Sequence, residues 1–120
     1  MTGFSFLGHL HEMMGDKLSC VIDAHAVPVL PGAWEAADAC LYTAAGQRNR
    51  NHTGPFVRFE NVPFPMEEIL FDPQTSGGLL LAAAPQDAAA LEQELRAAGL
   101  PAAIVGEILE KQTTEITVNY

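Results

Sequence analysis

The sequence predicts an α+β domain, a layered fold with a mixed or antiparallel sheet of about four or five strands and helices packed on it. Three observations carry that expectation. Helical and β-favouring segments alternate through most of the chain. The chain closes on two β-favouring segments separated by a short polar turn. Of its 120 residues, 48% are hydrophobic and 18% charged, which supports one core of ordinary domain size, spanning 1–120.

Residues 2–14, "TGFSFLGHLHEMM", place Phe6, Leu7, Leu10 and Met14 near helical spacing, with Thr2 or Ser5 as candidate caps and Gly15 as the stop. "LSCVIDAHAV", 18–27, reads as a strand ending before a proline. "VPVLPG" breaks the chain, and "AWEAADACLY", 33–42, is a short alanine-rich helix. Residues 43–55, "TAAGQRNRNHTGP", read as a polar loop. "FVRFENV", 56–62, alternates as a strand does, and "PMEEILF", 65–71, is a helical turn or two with proline and acids at its start. "GLLLAAA", 78–84, is an apolar run of the kind found in buried strands. "PQDAAALEQELRAAG", 85–99, is the clearest helix, opened by Pro85 and closed by Gly99. "AAIVGEIL", 102–109, and "TEITVNY", 114–120, read as strands, joined as a hairpin through Lys111–Gln112–Thr113.

The formal charge of −9 argues against nucleic-acid binding, which needs clustered lysine and arginine. No apolar run approaches the roughly 20 residues that cross a bilayer, and "MTGFSFLGHL" lacks the basic leader of a signal peptide. Cys20 and Cys40 do not make a disulfide framework and lack cationic neighbours, so both are expected in the core of a cytoplasmic protein.

The stretch "ILFDPQTSGGLLLAAA", 69–84, holds the densest chemistry. Pro73 restricts Asp72, Thr75 and Ser76 offer hydroxyls, and Gly77–Gly78 let the backbone approach a ligand. Such a run can cradle an anion with backbone N–H groups, or simply turn into the next strand; spacing alone favours the turn. It is not a nucleotide-binding Walker loop, whose lysine is missing. Thr2–Gly3, leading into a helix, is a second phosphate candidate. Arg48, Asn49 and Arg50 can grip a carboxylate or phosphate, or belong to a solvated loop. His9 and His11 stand two apart and diverge on a helix, so the residues suggest no metal site. No arrangement for nucleophilic or paired-carboxylate catalysis emerges.

These segments together resemble one family, selenophosphate synthetase (selenide, water dikinase). "TGFSFLGHLHEM" is similar to its TGFGLLGHL-type segment, "IDAHAVPVLPGAWE" to its strand–Pro-Gly–helix passage, "QRNRNH" to its Arg-Asn loop, "LFDPQTSGGLLLA" to its signature, and "GEILEKQTTEITV" to its closing strands. The resemblance covers the whole chain, in order. Ser5 stands where the family has the second glycine of Gly-Phe-Gly, and "TAAG", 43–46, replaces its usual Pro-Gly-Gly-Thr.

The resemblance implies a PurM-like (AIR synthetase-related) C-terminal domain with a mixed sheet and partial ferredoxin-like topology. The full enzyme makes selenophosphate, AMP and orthophosphate from selenide and ATP. It implies an N-terminal domain that carries the catalytic Cys or selenocysteine, binds ATP and Mg²⁺, and forms the homodimer. A metal-binding aspartate is expected just ahead of the segment that Met1 opens here. The chain alone is then expected to be inactive, without cofactor. Thr2, Gly3, Asp72, Thr75, Ser76, Gly77 and Gly78 would face the interdomain phosphate site, with Arg48 and Asn49 as further candidates. The alternatives are a stand-alone small-molecule or nucleotide-binding regulatory domain of ferredoxin-like topology, and the related purine or hydrogenase-maturation enzymes. The DPQTSGG and LGHL runs speak against the last.

Overall fold

The computed structural model describes all residues, Met1–Tyr120. The first helix, α1, spans Ser5–Met14 and ends at Gly15, whose φ of 55° is left-handed. Its buried face is Phe6, Leu7, Leu10 and Met14, the stripe expected from the sequence. The first strand, β1, covers Leu18–Asp23, shorter than the segment expected, because Asp23 accepts from the amide of His25 and turns the chain into a 3₁₀ turn at Ala24–Ala26. A short α2 follows at Ala33–Asp38.

Residues 43–55 are not a loop. They form α3, Ala44–Thr53, opened by Thr43, whose hydroxyl accepts from the amide of Gly46 at 3.0 Å. The segment has no apolar stripe, so hydrophobic periodicity does not reveal it. Polar anchors, Asn49 and Arg50, hold it against the neighbouring segments instead. The strand β2, Val57–Glu60, turns Val57 and Phe59 toward the core, and α4 spans Phe64–Phe71. The long helix α5, Pro85–Ala97, opens at the expected residue, ends just short of Gly99, and has no fully buried residue.

The sheet is completed by β3, Gly106–Glu110, and β4, Ile116–Asn119, in the order β2-β4-β1-β3. The last two strands are not a hairpin. β3 pairs antiparallel with β1, Cys20 opposite Ile108, while β4 pairs parallel with the other edge of β1, Cys20 opposite Ile116. β2 adds in parallel to β4. β1 occupies the centre because Cys20 and Ile22 are buried there, and the connection from β3 to β4 crosses its start. The amide of Gln112 donates to Ser19 Oγ at 2.8 Å, and the amide of Cys20 to the carbonyl of Glu115 at 2.8 Å.

The core joins α1, α4, β1 and β4 through Leu7, Ile22, Leu70, Phe71, Ile116 and Val118, all buried. Burying each such side chain contributes roughly 1.5–3 kcal/mol. Residues 78–84 are not a buried strand. No other strand pairs with them, and Leu79 is 83% exposed. A continuous apolar run fits a strand covered on both faces; within this chain only Leu80 reaches the core. Cys40 likewise departs from its expected burial. It is exposed, in left-handed backbone (φ 60°), because α2 ends before it.

Candidate functional site

Two segments far apart in sequence meet beside the start of α1. The amide of Gln74 donates to the carbonyl of Thr2 at 3.0 Å, and that of Gly77 to the carbonyl of Met1 at 3.2 Å. The amino group of Met1 donates to the carbonyl of Gly78. A third segment ties them: Asn49 of α3 donates from Nδ2 to the carbonyl of Gly3 at 2.9 Å and to that of Phe71 at 3.0 Å. Thr2, Gly3, Asn49 and the 72–78 loop therefore form one rim. Arg48 is exposed on α3 and makes no hydrogen bond or ion pair.

The loop is a turn, the reading that spacing alone favours. Gly77 N–H closes it onto Gln74 O at 3.0 Å, and Ser76 takes φ 58° at its third position, as a type II turn requires. It leads into no strand and is braced by the N-terminal segment. Two of its amides are thus turned inward. The amides of Thr75, Ser76 and Gly78, and the hydroxyls of Thr75 and Ser76, have no partner in the protein and lie at the surface. A Cβ on Gly77 would press on Gln74 Cβ, Gln74 O and Met1 Cβ at 2.9–3.0 Å, whereas one on Gly78 would meet nothing within 4 Å. Gly77 is a packing position, and Gly78 borders open space.

The hydroxyl of Thr2 is engaged by α1. Thr2 Oγ1 lies 2.8 Å from His9 Nε2, and His9 Nδ1 lies 2.9 Å from Glu12 Oε2. Asp72 sits at the end of α4, and its carboxyl is raised above the ordinary carboxylate range by burial and by the neighbouring Glu68 charge. Glu68 is only 3% exposed. Arg50 compensates it: Nε donates to Glu68 Oε1 at 2.9 Å, and Nη2 stands 2.6 Å from the same oxygen, outside hydrogen-bond angles. Its Nη1 reaches Glu67 at 2.8 Å, and the guanidinium lies over Phe71, 4.8 Å from the ring centroid.

The profile of the family "AIR synthase related protein, C-terminal domain" matches residues 1–119. The chain belongs to that family. It is 55% identical over 120 residues to a selenide, water dikinase of Agathobacter rectalis, with 99% of this chain and 35% of that protein covered. It is 44% identical over 119 residues to the selenide, water dikinase of Desulfitobacterium hafniense Y51, covering 97% of this chain and 34% of the relative. The Treponema denticola selenide, water dikinase is 40% identical over 126 residues, covering 99% and 35%. The chain spans about a third of the length of these curated relatives.

Within this AIR synthase related C-terminal domain, sequence reasoning missed two features. It set His9 aside as a metal ligand without finding its partners, Thr2 and Glu12, which lie seven residues before it and three after. Helical spacing offered that signal, since i,i+3 side chains share a face. It also took Arg50 as a possible ligand grip, where the fold commits it to Glu67 and Glu68. Away from the rim, burial and the nearby Glu115 push the Cys20 thiol up to about 12, which keeps it unreactive. No helix is long and apolar enough to cross a membrane.

Proposed function

We propose that this chain is the C-terminal domain of a selenide, water dikinase, the enzyme that forms selenophosphate, AMP and orthophosphate from selenide and ATP. One observation carries the reading: end-to-end similarity, at 55% identity, to a curated protein of that name. The rim of Thr2, Gly3 and residues 72–78 then faces the phosphates of the nucleotide, held by an N-terminal domain within a homodimer in the cytoplasm.

The rim suits that role in donors. The unpaired amides of Thr75, Ser76 and Gly78 and two free hydroxyls can bond phosphate oxygens without large side chains in the way. Asn49 acts from behind, fixing the backbone of Gly3 rather than touching ligand. Catalysis at such a site is positioning and charge neutralisation of phosphoryl groups. Mg²⁺ supplies countercharge in this chemistry. Mg²⁺ in such sites is held by one or two carboxylates together with the phosphates and water. Asp72, with Glu68 as its neighbour, is the carboxylate of the 72–78 loop.

Selenide-dependent AMP formation tests the reading. The longer enzyme carrying this chain is expected to be active and the 120-residue chain alone inactive. Activity from the chain alone sinks it. Stabilisation of the isolated chain by ATP or AMP would point instead to a stand-alone nucleotide-binding domain. For the rim, Gly78→Val fills open space and is the sharper probe than Gly77→Val, which also disturbs packing. Turnover is expected to fall at least about tenfold with unchanged melting, the scale of one lost charge-assisted contact.

A further inference from the structure

We propose that His9, oriented by Glu12, is a positioning residue that switches the Thr2 hydroxyl between accepting and donating, so that binding of a phosphate oxyanion at the rim is coupled to protonation of His9. The inference rests on the phosphate-facing reading of the rim and deepens it.

The geometry sets the two states. Glu12 is only an acceptor when ionised, so the 2.9 Å contact to Nδ1 places a proton on that nitrogen. In neutral His9, Nε2 is then a bare lone pair, and the 2.8 Å contact takes the hydroxyl proton of Thr2. Thr2 Oγ1 then presents only lone pairs to the rim, which repel an anionic oxygen. When His9 gains a proton, Nε2–H donates to Thr2 Oγ1, and the Thr2 proton is free to point outward at a phosphate oxygen. The Nδ1–H contact to Glu12 is kept in both states.

The rim needs that charge. The chain carries a formal charge of −9. Of the two arginines that flank Asn49, Arg50 is bound to Glu67 and Glu68, and Arg48 is exposed on α3. Around His9 the partners are known. Glu12 faces it from α1 and Thr2 from the leading segment, and the Phe4 ring stands T-shaped to it with centroids 6.0 Å apart. From α3, His52 turns to the ring of His11, which is itself bound to Glu115; from α4, Glu67 and Glu68 are held by Arg50. No other side chain hydrogen bonds to His9. Thr2 itself is immobilised, since its carbonyl accepts from both Ser5 at 3.2 Å and Gln74 at 3.0 Å.

Two measurements decide it. In the longer enzyme, the pH dependence of kcat/KM for ATP is compared among wild type, His9→Gln and His9→Ala. The glutamine side chain of the first variant can donate an amide proton to Thr2 at any pH. His9→Gln is therefore expected to keep activity within about threefold and to lose the fall that wild type shows as His9 gives up its proton. His9→Ala is expected to lose about tenfold, the scale of one charge-assisted hydrogen bond. A His9→Ala enzyme with the wild-type pH profile overturns the proposal. Separately, imidazole ¹⁵N spectra of the chain are recorded with and without inorganic phosphate. The expected result is the Nδ1–H tautomer in the free chain, and a protonation midpoint raised by phosphate in wild type but not in Thr2→Val. An Nε2–H tautomer, or a midpoint that phosphate does not move, overturns it. If wild type makes no AMP at all, the dikinase reading falls, and the spectra still judge the relay alone.

Discussion

The side-chain amide of Asn49 donates to the carbonyl oxygen of Gly3 at 2.9 Å, so a residue in the middle of α3 holds the stretch of chain that enters α1. The second hydrogen of the same amide serves Phe71 O at 3.0 Å, at the entrance to the 72–78 loop. One side chain therefore sets the spacing between both halves of the rim. Asn49→Ala strips two carbonyls of their donor and is expected to cost about 1–3 kcal/mol in urea unfolding. Amide exchange at Gln74 and Gly77 should quicken, because their acceptors sit on the segment Asn49 restrains. A variant within about 0.5 kcal/mol of wild type would show that Asn49 does not brace the rim.

Arg50 and Glu68 make a different kind of anchor. Glu68 is nearly inaccessible, and Arg50 is its compensation, with Glu67 and the Phe71 face completing the cluster. Removing one partner of a buried pair leaves a naked charge, so Arg50→Met is expected to lose about 3–5 kcal/mol. Replacing both, as Arg50→Met with Glu68→Met, should recover most of that loss, since the apolar pair carries no desolvation cost. Equal losses in the single and double variants would mean that Glu68 carries no buried charge.

Ser5 occupies the position where the resembled family has glycine, and its backbone shows why glycine fits. Its φ is 72°, left-handed, in a fully buried residue. A non-glycine residue there costs roughly 1–2 kcal/mol. The hydroxyl returns part of this by accepting from the amide of Gly8 at 3.2 Å. Ser5→Gly relieves the backbone and loses the bond, so it should be neutral or more stable by up to about 1 kcal/mol. Ser5→Ala keeps the strain and loses the bond, and should fall by about 1 kcal/mol. Thermal melts of the two separate the terms, and Ala above Gly would contradict the strain argument.

Gly77 and Gly78 look alike in sequence and differ in the fold. Gly77→Ala drives a methyl group against Gln74 and Met1, where neither the Gln74 backbone nor Met1 can yield freely. It is expected to cost about 1–3 kcal/mol, as overpacking does. Gly78→Ala points into open space and should stay within about 0.5 kcal/mol of wild type. Chemical denaturation of both checks the contrast.

Legibility of the fold followed the physical signals. α1 and α5 were readable because each carries a stop glycine, Gly15 or Gly99, and apolar or proline punctuation. β1, β2 and β4 were readable by their β-favouring side chains. α3 was hidden because hydrogen bonds from Asn49 and Arg50, not an apolar stripe, hold it. The pairing of β3 and β4 with β1 instead of each other is a non-local choice, and a short turn such as 111–113 suggests the hairpin whichever way the sheet closes. At the candidate site, the motif "DPQTSGG" pointed to the loop that the fold sets against the N-terminal segment. That the loop meets Met1–Gly3 is a contact across the whole domain, invisible to local spacing.

Asp72 gives the rim a pH signature opposite to that of most carboxylates. Burial first, then the Glu68 charge, raises its carboxyl above the ordinary 3.8. The folded chain therefore holds this proton more tightly than the unfolded one. Between the ordinary value and the raised value the folded state binds more protons, so this residue's contribution to stability falls as pH rises through that window. Above the raised value both states have lost the proton, and the folded state bears the full penalty of an ionised, partly buried carboxylate beside Glu68. Asp72→Asn removes the penalty while keeping the shape. The variant is expected to melt above wild type at pH values above the raised one. Their gap should narrow as pH falls through the raised value and close below the ordinary one, where Asp72 is protonated in both states. Other carboxylates are common to both proteins and cancel in the difference. Paired thermal melts across the acid range measure it, and a gap that stays constant with pH would show that Asp72 titrates alike in the folded and unfolded chains.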